Sequence, residues 1–253
     1  MIYYKYFLIC LLLCSVLTPA QADKIHIAAA TNLRFVLPEL VASFEHKTGH
    51  QVSVSYAASG TLTTQIQHGA PFELFLSANP DYIQRLIDAE LTQAHPVNYA
   101  QAQLAFFASN KSVLDVDEQL NGLKQALEQG SLNKIAIANP RHAPYGQAAQ
   151  SALEKVGLWQ QVQPYLLMAE NASQVMQFSL TTSVDAGFVP YGYIIQTKFS
   201  SLGQFVKLDA KLQQQAILLR NATAISQQFL GFIQTDTAHE LFIKHGFLVM
   251  ENS

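Results

Sequence analysis

Strand-like and helix-like hydrophobic patterns alternate along most of this chain. Residues 24–30 are almost all small or apolar and predict a buried first strand. Residues 51–56 alternate, with Val52, Val54 and Tyr56 on one face, and predict a second strand. Between them Val36, Leu37, Leu40, Val41 and Phe44 recur at helical spacing, with Pro38 in the first turn and Gly49 as the stop. Short helices are predicted over 62–68 and 81–90, with a strand over 73–77 between them. Beyond the His95-Pro96 connection, a strongly apolar strand over 101–109 leads into a second series. That series has strands over 135–138, 165–169 and 186–189, and helices over 146–156 and 173–181. A strand over 215–219 returns late, and a helical region over 224–245 follows.

Alternation of this kind argues for an α/β fold with substantially parallel sheets. Two series and a late returning strand predict two αβ lobes crossed twice by the chain. Lobe 1 takes residues 23–103 and 213–253, and lobe 2 takes 104–212. The alternative is one continuous doubly wound sheet. In either case ligands sit in the crevice at the C-terminal ends of the strands.

The first 22 residues stand apart. Lys5 precedes an almost uninterrupted apolar run from Phe7 to Leu17, and Ala20-Gln21-Ala22 offers a small-x-small cleavage site. A run of about 11 residues suits a cleaved secretory signal and is too short to span a bilayer. Cys14 lies inside the apolar run, without the small residues that precede a lipidated cysteine. Both cysteines, Cys10 and Cys14, leave with the signal. The remaining 231 of 253 residues then have no disulfide and no thiolate chemistry, and depend on a large core. No later segment is apolar for the roughly 18 residues of a membrane helix, so an exported, periplasmic protein is expected. The formal charge of −3, and the absence of a basic run, argue against nucleic acid and anionic membranes as partners.

Four predicted strand-to-helix turns carry small polar residues. They are Ala30-Thr31-Asn32, Ala58-Ser59-Gly60, the Pro-stiffened 139–146 segment ending in Tyr145-Gly146, and Glu170-Asn171-Ala172-Ser173. A helix start leaves backbone N–H groups free and adds partial positive charge, which suits an anion. For Thr31, Asn32 and Ser59 taken singly, plain N-capping is the competing reading. Arg141 and His142 are expected at the surface, and Glu170 is expected to point away or brace its loop. Neutral donors suffice: bonds to a charged group contribute roughly 1.5–3 kcal/mol each, so six give about 9–18 kcal/mol gross.

Catalytic patterns are weak. Tyr56-Ala57-Ala58-Ser59-Gly60 lacks the first glycine of a nucleophile elbow, and no histidine is tied to Ser59 by sequence. His46 and His50 have i,i+4 spacing, but Gly49 intervenes and no carboxylate partner is fixed, so no cation site is assigned. Trp159, Phe229, Phe232 and Phe242 are expected in the core.

The chain resembles the periplasmic molybdate-binding proteins, the solute receptors of molybdate ABC importers. The resemblance rests on Ala28-Ala29-Ala30-Thr31, Tyr56-Ala57-Ala58-Ser59-Gly60-Thr61-Leu62, and Gly69-Ala70-Pro71 followed by Leu74-Phe75-Leu76-Ser77-Ala78. It continues through Ala143-Pro144-Tyr145-Gly146, Leu153 to Trp159, Ala169-Glu170-Asn171, Asp185-Ala186-Gly187-Phe188-Val189 and Lys244-His245-Gly246-Phe247. It implies a type II periplasmic binding fold whose two lobes close on molybdate or tungstate, without a cofactor or enzymatic activity. It also implies a monomer that delivers its anion to a membrane permease. Carried over by position, Thr31 and Ser59 supply hydroxyls, Tyr145 and Ala172 supply backbone N–H groups, and Asn32 is an extra donor. Many members carry a ligand Tyr where this chain has Pro190, which has neither a hydroxyl nor an N–H; Tyr191 and Tyr193 are the nearby substitutes. A sulfate receptor, a secreted serine hydrolase using Ser59 and a metal-cation receptor are the alternatives.

Overall fold

The computed structural model describes residues 24–249, so the signal segment lies outside the described residues. The strands are β1 (Lys24–Ala30), β2 (Gln51–Ala57), β3 (Leu74–Ser77), β4 (Val97–Ser109), β5 (Ile135–Ala138), β6 (Leu166–Ala169), β7 (Ala186–Pro190) and β8 (Gly203–Leu218). The α-helices are α1 (Leu37–Thr48), α2 (Ser59–Gln67), α3 (Pro80–Asp88), α4 (Asn121–Glu128), α5 (Pro144–Lys155) and α6 (Trp159–Val162). They continue with α7 (Ala172–Ser179), α8 (Tyr191–Ile194), α9 (Thr197–Ser200), α10 (Ala224–Phe232) and α11 (Asp236–Lys244).

All strands join one mixed sheet in the order β2-β1-β3-β8-β4-β7-β5-β6. β1 is parallel to β2 and β3, and β5 is parallel to β6 and β7, so each flank is built from βαβ units. The long antiparallel pair β4/β8 connects the flanks. β8 meets β3 through 215–218, and β4 meets β7 through 104–107. Its register shifts twice, at Asn98/Ala100 and at Gln103/Ala105, which brackets the stretch between the flanks with bulges.

The sequence pattern finds the buried parallel strands well and the amphipathic pair less well. β8 begins at Gly203, well before the expected 215, because its first half alternates buried and exposed positions around Lys207, Asp209 and Lys211. α4 is a helix that the periodicity does not announce. Its entrance is held by Asp117, whose carboxylate accepts the backbone N–H groups of Gln119, Asn121 and Gly122 at 2.9–3.0 Å. The expected C-terminal helical region is two helices, broken at Ile233 to Thr235, where the Thr235 hydroxyl accepts from Ala238 N–H and starts α11. The aromatic residues of this region are core, as expected: Phe229 packs edge-on to Phe44 at 5.0 Å, and Phe242 is fully buried. Trp159 is partly buried against the same core.

Candidate functional site

The four polar turns meet at one point. A small pocket is lined by Thr31, Asn32, Ser59, Tyr145 and Ala172, together with Ala30, Ala58, Ala78, Ala143 and Pro144. All five residues singled out in the sequence line it. β1, β2, β5 and β6 end beside it, and a helix or 3-10 turn begins there after each. All five residues are buried, Ser59 completely.

Capping does not explain the polar residues on the first flank. The N-cap positions before Thr31, Ser59 and Pro144 are Ala30, Ala58 and Ala143, and none offers a side-chain acceptor. Ser59 is therefore the first helical residue and not a cap. None of these three helix starts is closed by a side-chain cap, and the N–H groups there that no carbonyl takes face a space where the ends of aligned peptide dipoles favour negative charge. The fourth start differs. Asn171 caps α7 by accepting from Ser173 and Gln174 N–H at 3.0 and 3.2 Å, which leaves the Ala172 N–H unused.

The two hydroxyls keep their donor capacity. Ser59 Oγ accepts the Ala78 backbone N–H at 3.1 Å, and its own proton has no acceptor among the described residues. The Thr31 hydroxyl has no partner among the described residues, whereas its carbonyl accepts from Arg34 N–H at 3.1 Å and from the Tyr193 hydroxyl. Tyr193 also shares a 2.8 Å hydrogen bond with Ser173 Oγ. It thus spans the two flanks and braces the Thr31 turn. Asn32 lines the pocket, but its Nδ2 donates at 2.9 Å to Gln214 Oε1 on β8. Gln214 is held in that orientation because its own Nε2 donates to the Leu212 carbonyl at 2.9 Å. The amide orientation of Asn32 follows, and its buried Oδ1 has no hydrogen-bond partner among the described residues.

Hydrogen bonds join the two flanks next to the pocket residues Ser59, Ala78 and Ala143. Gly60 N–H donates to the His142 carbonyl at 2.9 Å. Asn79 Nδ2 donates to Gln147 Oε1 at 3.0 Å, and Gln147 Nε2 donates to the Tyr82 hydroxyl at 3.2 Å. A Cβ at Gly60 would lie 2.7 Å from the His142 carbonyl oxygen and 2.9 Å from Tyr82 Cε1, so the approach requires glycine. Asn79, Gln147, Tyr82 and Gln214 carry no sequence signal, since their roles depend on partners 65 to 182 residues away.

Among the described residues, no acidic or basic side chain lines the pocket. Burial pushes the Tyr193 hydroxyl up to about 12 and Tyr145 well above its usual range, so both remain neutral donors at ordinary pH. Glu170 braces its loop as expected, with its carboxylate 3.5 Å from His142 Nε2. No histidine bonds Ser59 among the described residues, and no group of three or more His, Cys, Asp or Glu side chains forms a cation site among them.

Residues 25–248 match the family model of the bacterial extracellular solute-binding proteins. The molybdate-binding protein ModA of Rhodobacter capsulatus is 31% identical over 234 residues, which cover 91% of this chain and 90% of that protein. The ModA protein of Azotobacter vinelandii is 29% identical over 235 residues, covering 90% and 91%. The solved periplasmic molybdate-binding protein of Azotobacter vinelandii superposes with a TM-score of 0.80 at 26% identity, covering 90% of this chain and all of that one.

Proposed function

This chain belongs to the bacterial extracellular solute-binding proteins, and on that premise we propose that it captures molybdate for an ABC importer. It is non-enzymatic in this reading, works in the periplasm as a monomer, and hands the anion to a membrane permease. Tungstate, which has the same shape and charge, is a second ligand.

The observation that carries the reading is the convergence of uncapped helix starts and two unspent hydroxyls on one buried, uncharged pocket. Such a pocket solvates a dianion with oriented dipoles and N–H groups in place of water. Thr31 and Ser59 donate through hydroxyls, and Tyr145 and Ala172 donate through backbone N–H groups. Asn32 contributes its backbone, with its side chain engaged by Gln214. Tyr193 takes the place left by Pro190 indirectly, by fixing the Thr31 turn. Each backbone N–H and hydroxyl proton assigned to the anion is matched best by the fully ionised form, whose oxygens all accept.

Two lobes, residues 23–103 with 213–253 and residues 104–212, close on the anion in this reading. The register shifts in β4/β8 support a hinge between Ala100 and Gln103, close to those boundaries. Calorimetric titration with molybdate, tungstate, sulfate, phosphate and Zn²⁺ tests the whole proposal. Submicromolar molybdate binding is expected; tight sulfate binding with no response to molybdate would overturn it.

A further inference from the structure

Beside the oxyanion pocket lies a second, larger cavity of about 400 Å³. Its walls include Arg34, Phe35, Ser173, Tyr193, Lys198 and Phe199, and no Asp or Glu among the described residues lines it. It adjoins the pocket through shared structure. Tyr193 holds the Thr31 carbonyl, Ser173 follows Ala172, and Arg34 closes the turn that begins at Thr31.

Both cations in this cavity are exposed, and neither belongs to an ion pair among the described residues. They are held by rings instead. The Arg34 guanidinium stands 5.2 Å over Tyr56, and Lys198 Nζ lies 4.6 Å from the Phe35 centroid and 5.0 Å from that of Phe199. Cation–π contacts of this kind place a charge without neutralising it. Glu170, beside the cavity residue Asn171, is drawn to His142. The chain as a whole is acidic, at −3, and the deep pocket has no formal positive charge. Its dipoles act only over the first turn of each helix, so they do not attract a dianion from a distance.

We propose that this cavity is a capture vestibule, where Arg34 and Lys198 draw in and briefly hold the tetrahedral dianion before it passes to the neutral pocket. The inference rests on the oxyanion reading of that pocket. The cations act on encounter and do not contact the fully bound anion, so they set the association rate and leave dissociation nearly unchanged.

The test is rapid mixing of the mature protein with molybdate, followed by intrinsic fluorescence, for wild type, R34Q, K198Q and the double variant. At about 10 mM ionic strength the screening length is about 30 Å, and at about 1 M it is about 3 Å. The double variant should associate about 5- to 20-fold more slowly at low salt and converge with wild type at high salt. Its dissociation rate should stay within about twofold of wild type, and its unliganded melting curve should confirm folding. An unchanged association rate at low salt, or a loss carried mainly by dissociation, overturns the vestibule. If wild type binds sulfate but not molybdate, the molybdate reading falls and the same series with sulfate decides the vestibule. If no oxyanion binds, both fall.

Discussion

Replacing Gly60 with alanine should move stability and affinity in opposite directions. Gly60 lies in the first turn of α2 with an ordinary helical backbone, so alanine fits the helix and removes unfolded-state freedom. Taken alone, that change stabilises the unliganded protein by up to about 1 kcal/mol. Across the crevice the outcome differs. The new Cβ would stand 2.7 Å from the His142 carbonyl oxygen and 2.9 Å from its Cα, where ordinary contacts begin at 3.4 Å. Two of the three obstructing atoms are backbone, so the flanks must separate by about 0.7 Å. The Gly60–His142 hydrogen bond, worth about 0.5–1.5 kcal/mol, is then stretched or lost. Donors from Tyr145 and Ala172 retreat with that flank. Losing the equivalent of one donor bond to the anion costs about 1.5–3 kcal/mol, or roughly a 10- to 150-fold weaker Kd for molybdate. Calorimetry gives the affinity and a thermal melt without ligand gives the stability. Wild-type affinity in Gly60→Ala would refute the closed contact as a determinant of binding. A lower unliganded melting temperature would refute the helix argument.

Ser59→Ala should weaken molybdate binding by about 1.5–3 kcal/mol, the contribution of one bond to a charged group; an unchanged calorimetric Kd would remove Ser59 from the ligand set. Asn32→Ala leaves Gln214 Oε1 buried without its donor. A loss of about 1–3 kcal/mol is expected, read as a melting temperature lower by about 2–4 °C per kcal/mol. Stability should fall at both ends of the pH range. Hydrogen bonding to Lys244 holds the Glu39 carboxyl below its usual value, so that contribution is complete above the unfolded value near 4 and is lost as pH falls through the lowered one. Burial raises the Tyr56 and Tyr193 hydroxyls to about 12, so their contribution is complete below about 10 and is lost as pH rises toward 12. Urea unfolding at pH 3, 7 and 11 checks both limbs; equal midpoints at all three would contradict the assignment.

The site and the fold were unequally legible in the sequence. β1, β2 and β5 are evident as apolar or alternating runs, and the glycine that ends α1 is a local stop signal. Local chemistry also marks the four turns, because small polar residues after a strand are informative within a few positions. Whether Ser59 caps a helix or faces a ligand is not local. Ala58 takes the cap position, and Ala78, nineteen residues away, fixes the hydroxyl. The resemblance to molybdate receptors gave Asn32 a donor role, and only the distant Gln214 shows where its side chain is spent.

By itself, the sequence determined the buried parallel strands, the strongly amphipathic helices and which turns can face an anion, because hydrophobic period and backbone freedom act over a few residues. The tertiary structure alone decided that those turns share one pocket, that Gly60 must touch His142, and that Tyr193 braces Thr31 in place of a residue at 190. These contacts join residues 82 and 162 positions apart in the chain, and they exist only once β4 and β8 have brought the two flanks together. Long-range pairing is set by the packing of the whole sheet, which no short window of sequence contains.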